Sequence, residues 1–171
     1  ITAVLLDGQP LTEDYDLWWL KLVDSKSVHA YFYSFLGDDE IRLFALHLGC
    51  VAPSLSNRIV PAGEAIFRAN LQRVRALVTH PETVRFAGIE ALAVNSPVFQ
   101  NDVGEQLALQ CASGVGVAWA WREGRYKVSL RSRSRDGLAL HDCSATAALY
   151  GGGGHPGAAG FECAELPWRT R

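Results

Sequence analysis

Apolar residues recur at helical spacing through the first part of this chain and alternate with polar ones through much of the second. After an apolar opening, Ala3-Val4-Leu5-Leu6, comes an acidic and aromatic stretch from Glu13 to Trp19. Val28, Ala30, Tyr31, Phe32 and Phe35 then approximate one face of a helix, predicted over residues 26–36. A second helix is expected over 38–48, stopped by Gly49. Residues 62–80 read as a long amphipathic helix, with Ala65, Phe67, Leu71, Val74 and Leu77 inward and Arg68, Arg73 and Arg75 toward solvent.

From Val84 the period shortens. Val84-Arg85-Phe86 and 89–94 predict strands, Asn95-Ser96-Pro97 a turn, and 100–112 a helix. Residues 115–121 and 126–132, joined at Glu123-Gly124, predict a β-hairpin. A short helix over 144–150 runs into glycines, and 158–163 is expected to be the last strand. The fold class that follows is α/β, with a helical N-terminal segment and then a compact mixed-sheet domain. The boundary falls between residues 52 and 82, and no internal repeat is present.

Composition adds bounds. At 171 residues and 49% hydrophobic, the chain can bury a sizeable core. No apolar run approaches the roughly 18 residues of a membrane span, and no basic-then-apolar leader opens the chain. A soluble, cytoplasmic protein without a membrane partner is expected. Cys50, Cys111, Cys143 and Cys163 are widely spaced, which points to free thiols rather than a zinc site. The chain starts at Ile1 and contains no methionine, so it reads as a piece or a processed product.

Net charge is −2, which excludes a uniformly basic nucleic-acid binder. The cations are concentrated, however: Arg122, Arg125, Lys127, Arg131, Arg133 and Arg135 are opposed in that stretch only by Glu123. A focused patch of this kind attracts phosphates whatever the overall pI. On the second hairpin strand, period-two geometry sets Tyr126, Val128, Leu130 and Ser132 against the core. Lys127, Ser129, Arg131 and Arg133 then share the other face, about 7 Å apart. Arginine there offers a planar fork that matches phosphate.

Gly151-Gly152-Gly153-Gly154-His155 lies some twenty residues further on and is followed by Ala158-Ala159-Gly160. Consecutive glycines let backbone N–H groups converge on an anion, and a histidine beside them adds a hydrogen bond or a charge. Flexible linkage or tight packing is the simpler use of such a run. The return to small apolar residues and Phe161 favours a phosphate cradle shared with Arg131. Asp14 and Asp16 are the other candidates: two carboxylates beside Trp18 suit a hard cation such as Mn²⁺ or Mg²⁺, or simply a surface turn.

Ser129-Leu130-Arg131-Ser132, then Gly152-Gly153-Gly154-His155 and Ala158-Ala159-Gly160, resemble the C-terminal substrate-binding domain of the DHH phosphoesterase superfamily. Asp14-Tyr15-Asp16-Leu17-Trp18 and Leu22-Val23-Asp24-Ser25-Lys26 resemble its branch of nano-RNases and cyclic-nucleotide phosphodiesterases. Ala93-Val94-Asn95-Ser96-Pro97, with Gly104 and Leu107, fits the same domain, although Asp102 stands where a glutamate is expected.

The resemblance implies that residues 1–60 end a catalytic domain, 61–81 connect, and 82–171 bind substrate. It implies that Arg131 and His155 hold a substrate phosphate, assisted by the amides of Gly152, Gly153 and Gly154, with Ser129 and Arg133 alongside. Asp14, or failing it Asp16, would be a ligand of a Mn²⁺ or Mg²⁺ cluster that activates water. The Asp-His-His motif itself is absent, as is any Asp-x-Asp before Asp14. The expectation is therefore the substrate-holding part of a metal-dependent phosphodiesterase, inactive by itself and binding no metal by itself. Its partner would be a nucleotide or a short single-stranded oligonucleotide, with the oligomeric state open, a homodimer included. The alternative is a nucleotide- or RNA-binding module without catalysis.

Overall fold

A computed structural model describes residues 5–6, 9–10, 25–34, 56–135 and 138–169. The chain divides into two compact units, residues 1–72 and 73–171.

In the first unit a two-residue ladder joins β1 (Leu5–Leu6) to β2 (Gln9–Pro10). Helix α1 (Ser25–Tyr33) buries Val28 and Ala30, two of the residues that predicted it. Phe35 and the helix expected over 38–48 lie outside the described residues. Helix α2 (Ser56–Leu77) starts six residues earlier than its pattern suggested and runs through Pro61. Proline lacks the N–H for one intrahelical bond, so the sequence reads there as a start. Ala65, expected inward, is exposed. Gly63 is buried instead, because a Cβ there would lie 2.0 Å from the Ser27 carbonyl oxygen.

The second unit is built on a six-stranded mixed sheet in the order β3-β4-β5-β6-β10-β9. Its strands are β3 (Glu82–Phe86), β4 (Ile89–Asn95), β5 (Val115–Arg122), β6 (Arg125–Ser132), β9 (Gly153–His155) and β10 (Ala158–Cys163). β7 (Ser134–Arg135) and β8 (Leu138–Ala139) form a small separate ladder. All neighbours in the large sheet are antiparallel except β4 and β5, which are parallel and joined through α3 (Gln100–Gln110). The β5–β6 hairpin turns at Glu123-Gly124, both at positive φ (53° and 79°), as a two-residue turn matched to strand twist requires.

Side-chain alternation divides this sheet between two cores. Val115, Val117, Trp119, Val128, Leu130, Ala159 and Phe161 pack on one face with Cys143 and Ala147 of α4 (Cys143–Ala148). On the other face Val103 and Leu107 of α3 meet Ala118 of β5, joined by Val74 and Val78. Gly116 permits that approach, since a Cβ on it would lie 2.1 Å from the Gly104 carbonyl oxygen.

Candidate phosphate-binding face

Helix α3 lies over β5 and reaches β4 on one side and β6 on the other. From β6 outward over β10 and β9, the register sets out two rows of residues. Arg131 pairs with Ala158, and Ala158 with His155. One step along, Ser129 pairs with Gly160, and Gly160 with Gly153. Partners directly opposite in antiparallel strands share a face. Arg131 and His155 therefore stand on the same side, two strand spacings or roughly 10 Å apart, with only a methyl group between them. The second row offers a hydroxyl and then two residues without side chains. The result is a low floor between an arginine and an imidazole.

Each glycine of the run has a separate reason, and the amide cradle has to be corrected accordingly. Gly151 sits at φ 74° after α4, with its N–H on the Ala148 carbonyl, while the Gly152 N–H goes to the Ala147 carbonyl at 2.9 Å. This is the bonding pattern of a Schellman helix stop. The Gly152 amide is thus taken up in ending a helix and is lost to the predicted cradle. Its lack of a side chain serves packing, because a Cβ would lie 2.1 Å from the Gly160 carbonyl oxygen. Gly154 has φ 145°, and a Cβ on it would press on Ala158 and Ala159. Gly153 differs: its φ is unremarkable and a Cβ would meet nothing within 4 Å. Neither backbone nor packing accounts for this glycine, and it lies on the floor beside Gly160.

The end of the run, Gly153–His155, is a strand rather than a loop. β9 forms the edge of the sheet, and an edge strand directs alternate backbone groups outward. The turn at Pro156-Gly157 is tied down on both sides: Cys143 N–H donates to the Pro156 carbonyl, and Ser132 N–H to the Gly157 carbonyl. His155 itself is exposed.

Arg131 is held by α3. Its stem lies against Gly104, where a Cβ would approach Arg131 Cγ to 2.7 Å. Its guanidinium donates to Asn101 Oδ1 and to the Leu130 carbonyl. The residue before Asn101 on that helix, Gln100, accepts a long hydrogen bond of 3.4 Å from Ser129 Oγ. Gln100 Nε2 is buried and has no hydrogen-bond partner among the described residues. An orphaned buried amide of this kind costs about 1–3 kcal/mol. The first turn of α3 follows Phe99, which is left-handed at φ 53° and supplies no side-chain cap.

Three other cations of the basic stretch are engaged elsewhere. Lys127 and Arg125 share Glu162 at 3.4 and 3.8 Å, and Arg122 donates to the Pro97 carbonyl at 2.6 Å. Arg133 lies past the end of β6; its N–H bonds Gly114 and its carbonyl accepts from Leu140. Among the predicted residues, the sheet thus aligns Ser129, Arg131, Gly153 and His155. Gln100 and Asn101 went unrecognised in the sequence. Their signal was a polar pair at the start of a predicted helix, which does not say what the helix covers.

Compared with known proteins, the chain matches no family model and no curated protein. Among solved structures it is similar to a member of the s1p family of ribosomal proteins described as a DHH domain. Identity is 18% and the TM-score 0.47, over 86% of this chain and 40% of that one. It is similar as well to PggH, a pGpG-specific phosphodiesterase from Vibrio cholerae. There identity is 13% and the TM-score 0.42, over 94% of this chain and 55% of that one. The chain spans about half the length of these two proteins.

Asp14, Asp16 and Cys50 lie outside the described residues. Among the described residues, no three His, Cys, Asp or Glu side chains come together as metal ligands. No helix among them is long and apolar enough to cross a membrane. Cys111, Cys143 and Cys163 are free thiols.

Proposed function

We propose that this chain is the substrate-holding part of a DHH-type metal-dependent phosphodiesterase, and that it grips a phosphate of a nucleotide or short single-stranded oligonucleotide. The observation that carries this reading is the row Arg131–Ala158–His155. It sets a guanidinium and an imidazole on one side of the sheet with nothing taller than a methyl between them. An arginine fork supplies paired donors to a phosphate, an imidazole can donate from the far side, and a floor of small residues lets the anion settle. Gly153 keeps the edge of that floor clear.

In this reading residues 1–60 end the catalytic domain, 61–81 connect, and 82–171 hold the substrate. Mn²⁺ or Mg²⁺ in the intact protein would supply the activated water, with Asp14, or failing it Asp16, among its ligands. The part played by Arg131 and His155 is to bind and orient, which lowers the barrier by presenting the phosphorus in one geometry.

The test is a titration of the 171-residue chain with inorganic phosphate, a mononucleotide and a short oligonucleotide. Arg131→Ala and His155→Ala are each expected to weaken phosphate binding about tenfold or more, as loss of a charged hydrogen bond should. Unchanged affinity in both variants would defeat the reading. Robust Mn²⁺-dependent hydrolysis by this chain alone would defeat the division of labour while leaving the grip intact.

A further inference from the structure

Arg131 and His155 lie at the end of their ladders, where the sheet holds them from one side only. Arg131 pairs with Ala158, and Ala158 with His155, the last residue of β9; pairing among β6, β10 and β9 stops at that row. Beyond it a circuit of three hydrogen bonds takes over. Ser132 N–H donates to the Gly157 carbonyl at 3.0 Å, Cys143 N–H to the Pro156 carbonyl at 2.9 Å, and His141 N–H to Ser132 Oγ at 2.9 Å. Ser132 directly follows Arg131, and Pro156 directly follows His155. Every partner in this circuit is a backbone group except the Ser132 hydroxyl, which is buried and gives its own proton to the Arg133 carbonyl at 3.3 Å. The bridging segment His141–Cys143 is itself fixed. Asp142 Oδ1 accepts from Ala145 N–H at 3.0 Å, and His141 Nε2 lies 2.7 Å from Oγ1 of the buried Thr146.

We infer that Ser132 is a positioning residue that sets the distance between Arg131 and His155. This inference rests on the phosphate reading above. Ser132 alternates with Arg131 along β6, so its side chain is on the sheet face away from the floor and acts on an anion only through its neighbours. A phosphate gripped from two sides tolerates little error in the spacing of its donors, because hydrogen bonds weaken steeply once they bend or lengthen. The turn that carries His155 past the edge of the sheet can pivot about its last pair unless its far end is tied. Removing the hydroxyl leaves the His141 N–H without its acceptor, and the segment bearing Cys143 N–H moves to recover one. The Pro156 carbonyl then loses its fixed donor, and His155 shifts relative to Arg131.

The experiment is a double-mutant cycle read by the affinity of the 171-residue chain for inorganic phosphate and adenosine 5′-monophosphate. Ser132→Ala in the wild-type background should weaken both about fivefold or more. In the His155→Ala background the same substitution should change affinity by less than about twofold, because no second donor is left to space. A hydroxyl that merely supported the fold would cost the same in both backgrounds. Ser132→Cys puts a poorer acceptor in the same place and carries the same cycle if the alanine variant fails to fold. Equal losses in the two backgrounds, or no loss in wild type, with phosphate binding intact, overturn the positioning role alone. Failure of wild type to bind phosphate or the nucleotide overturns the grip and the positioning role together.

Discussion

The two faces of the large sheet come from the same strands and obey the same alternation, yet at β6, β10 and β9 they are built on opposite plans. On the α4 face, Val128, Leu130, Ala159 and Phe161 fill the space, and Tyr150 stacks on Phe161 with ring centroids 4.5 Å apart. On the α3 face, the neighbouring positions are Ser129, Arg131, Ala158, Gly160, Gly153 and His155. One side is made by what its residues add and the other by what they omit. The proposed phosphate floor is the part of this face where small residues remain unexplained by packing or by backbone geometry. Gly153 meets that criterion, whereas Gly151, Gly152 and Gly154 do not.

The comparison can be broken most forcefully at Leu130, which is fully buried on the filled face. Leu130→Ala should cost about 2–5 kcal/mol in urea denaturation, with phosphate affinity of the folded protein retained. A loss of affinity without loss of stability would mean that the faces do not divide the labour.

Ala158 and Ala159 offer a closer contrast, since they are adjacent and point to opposite faces. Ala159→Leu should overpack the core and cost about 1–3 kcal/mol. Ala158→Leu should leave the urea midpoint nearly unchanged but raise a side chain between Arg131 and His155, weakening phosphate binding about tenfold or more. If the two variants behaved alike, the floor would be ordinary packing.

A smaller effect distinguishes the filled face by pH. Burial pushes the Cys143 thiol up from 9.0 to about 12, with Arg131 opposing the shift and Asp142 adding to it. The unfolded chain gives up this proton first, so between pH 9 and 12 the native state holds more protons than the unfolded one. Stability contributed by the thiol is therefore complete below pH 9 and falls as pH rises, by at most about 1.4 kcal/mol per unit. Cys143→Ala should flatten the pH dependence of the urea midpoint from pH 8 to 10. An unaltered slope would show that the thiol is not shielded on that face.

Much of this division could be read from the sequence. β6 alternates without a break and its turn is marked by Gly124, so the sequence sets Ser129 and Arg131 on one face and Val128 and Leu130 on the other. β10 has an aromatic residue and a clear apolar period, and the strand predicted over 158–163 matches Ala158–Cys163. β9 was not legible as a strand, because glycine has little β propensity and Gly153–His155 is extended only through pairing with β10. The separate duties of the four glycines were equally hidden. Each depends on an atom distant in sequence, such as the Gly160 carbonyl beneath Gly152. Gln100 and Asn101 reach β6 across about thirty residues of chain, and no local period reports a contact of that span. Expectations concerning Asp14 and Asp16 fall outside the described residues.

The position of β10 between β6 and β9 has a kinetic consequence. β9 and β10 are neighbours in the chain and can zip together locally, as can β5 and β6. Joining these two hairpins closes a longer loop, a slower step in folding. Arg131 arrives on one hairpin and His155 on the other. Neither half presents both, so a phosphate held by the pair fastens the seam and should slow its separation, acting as a clasp as well as a cargo.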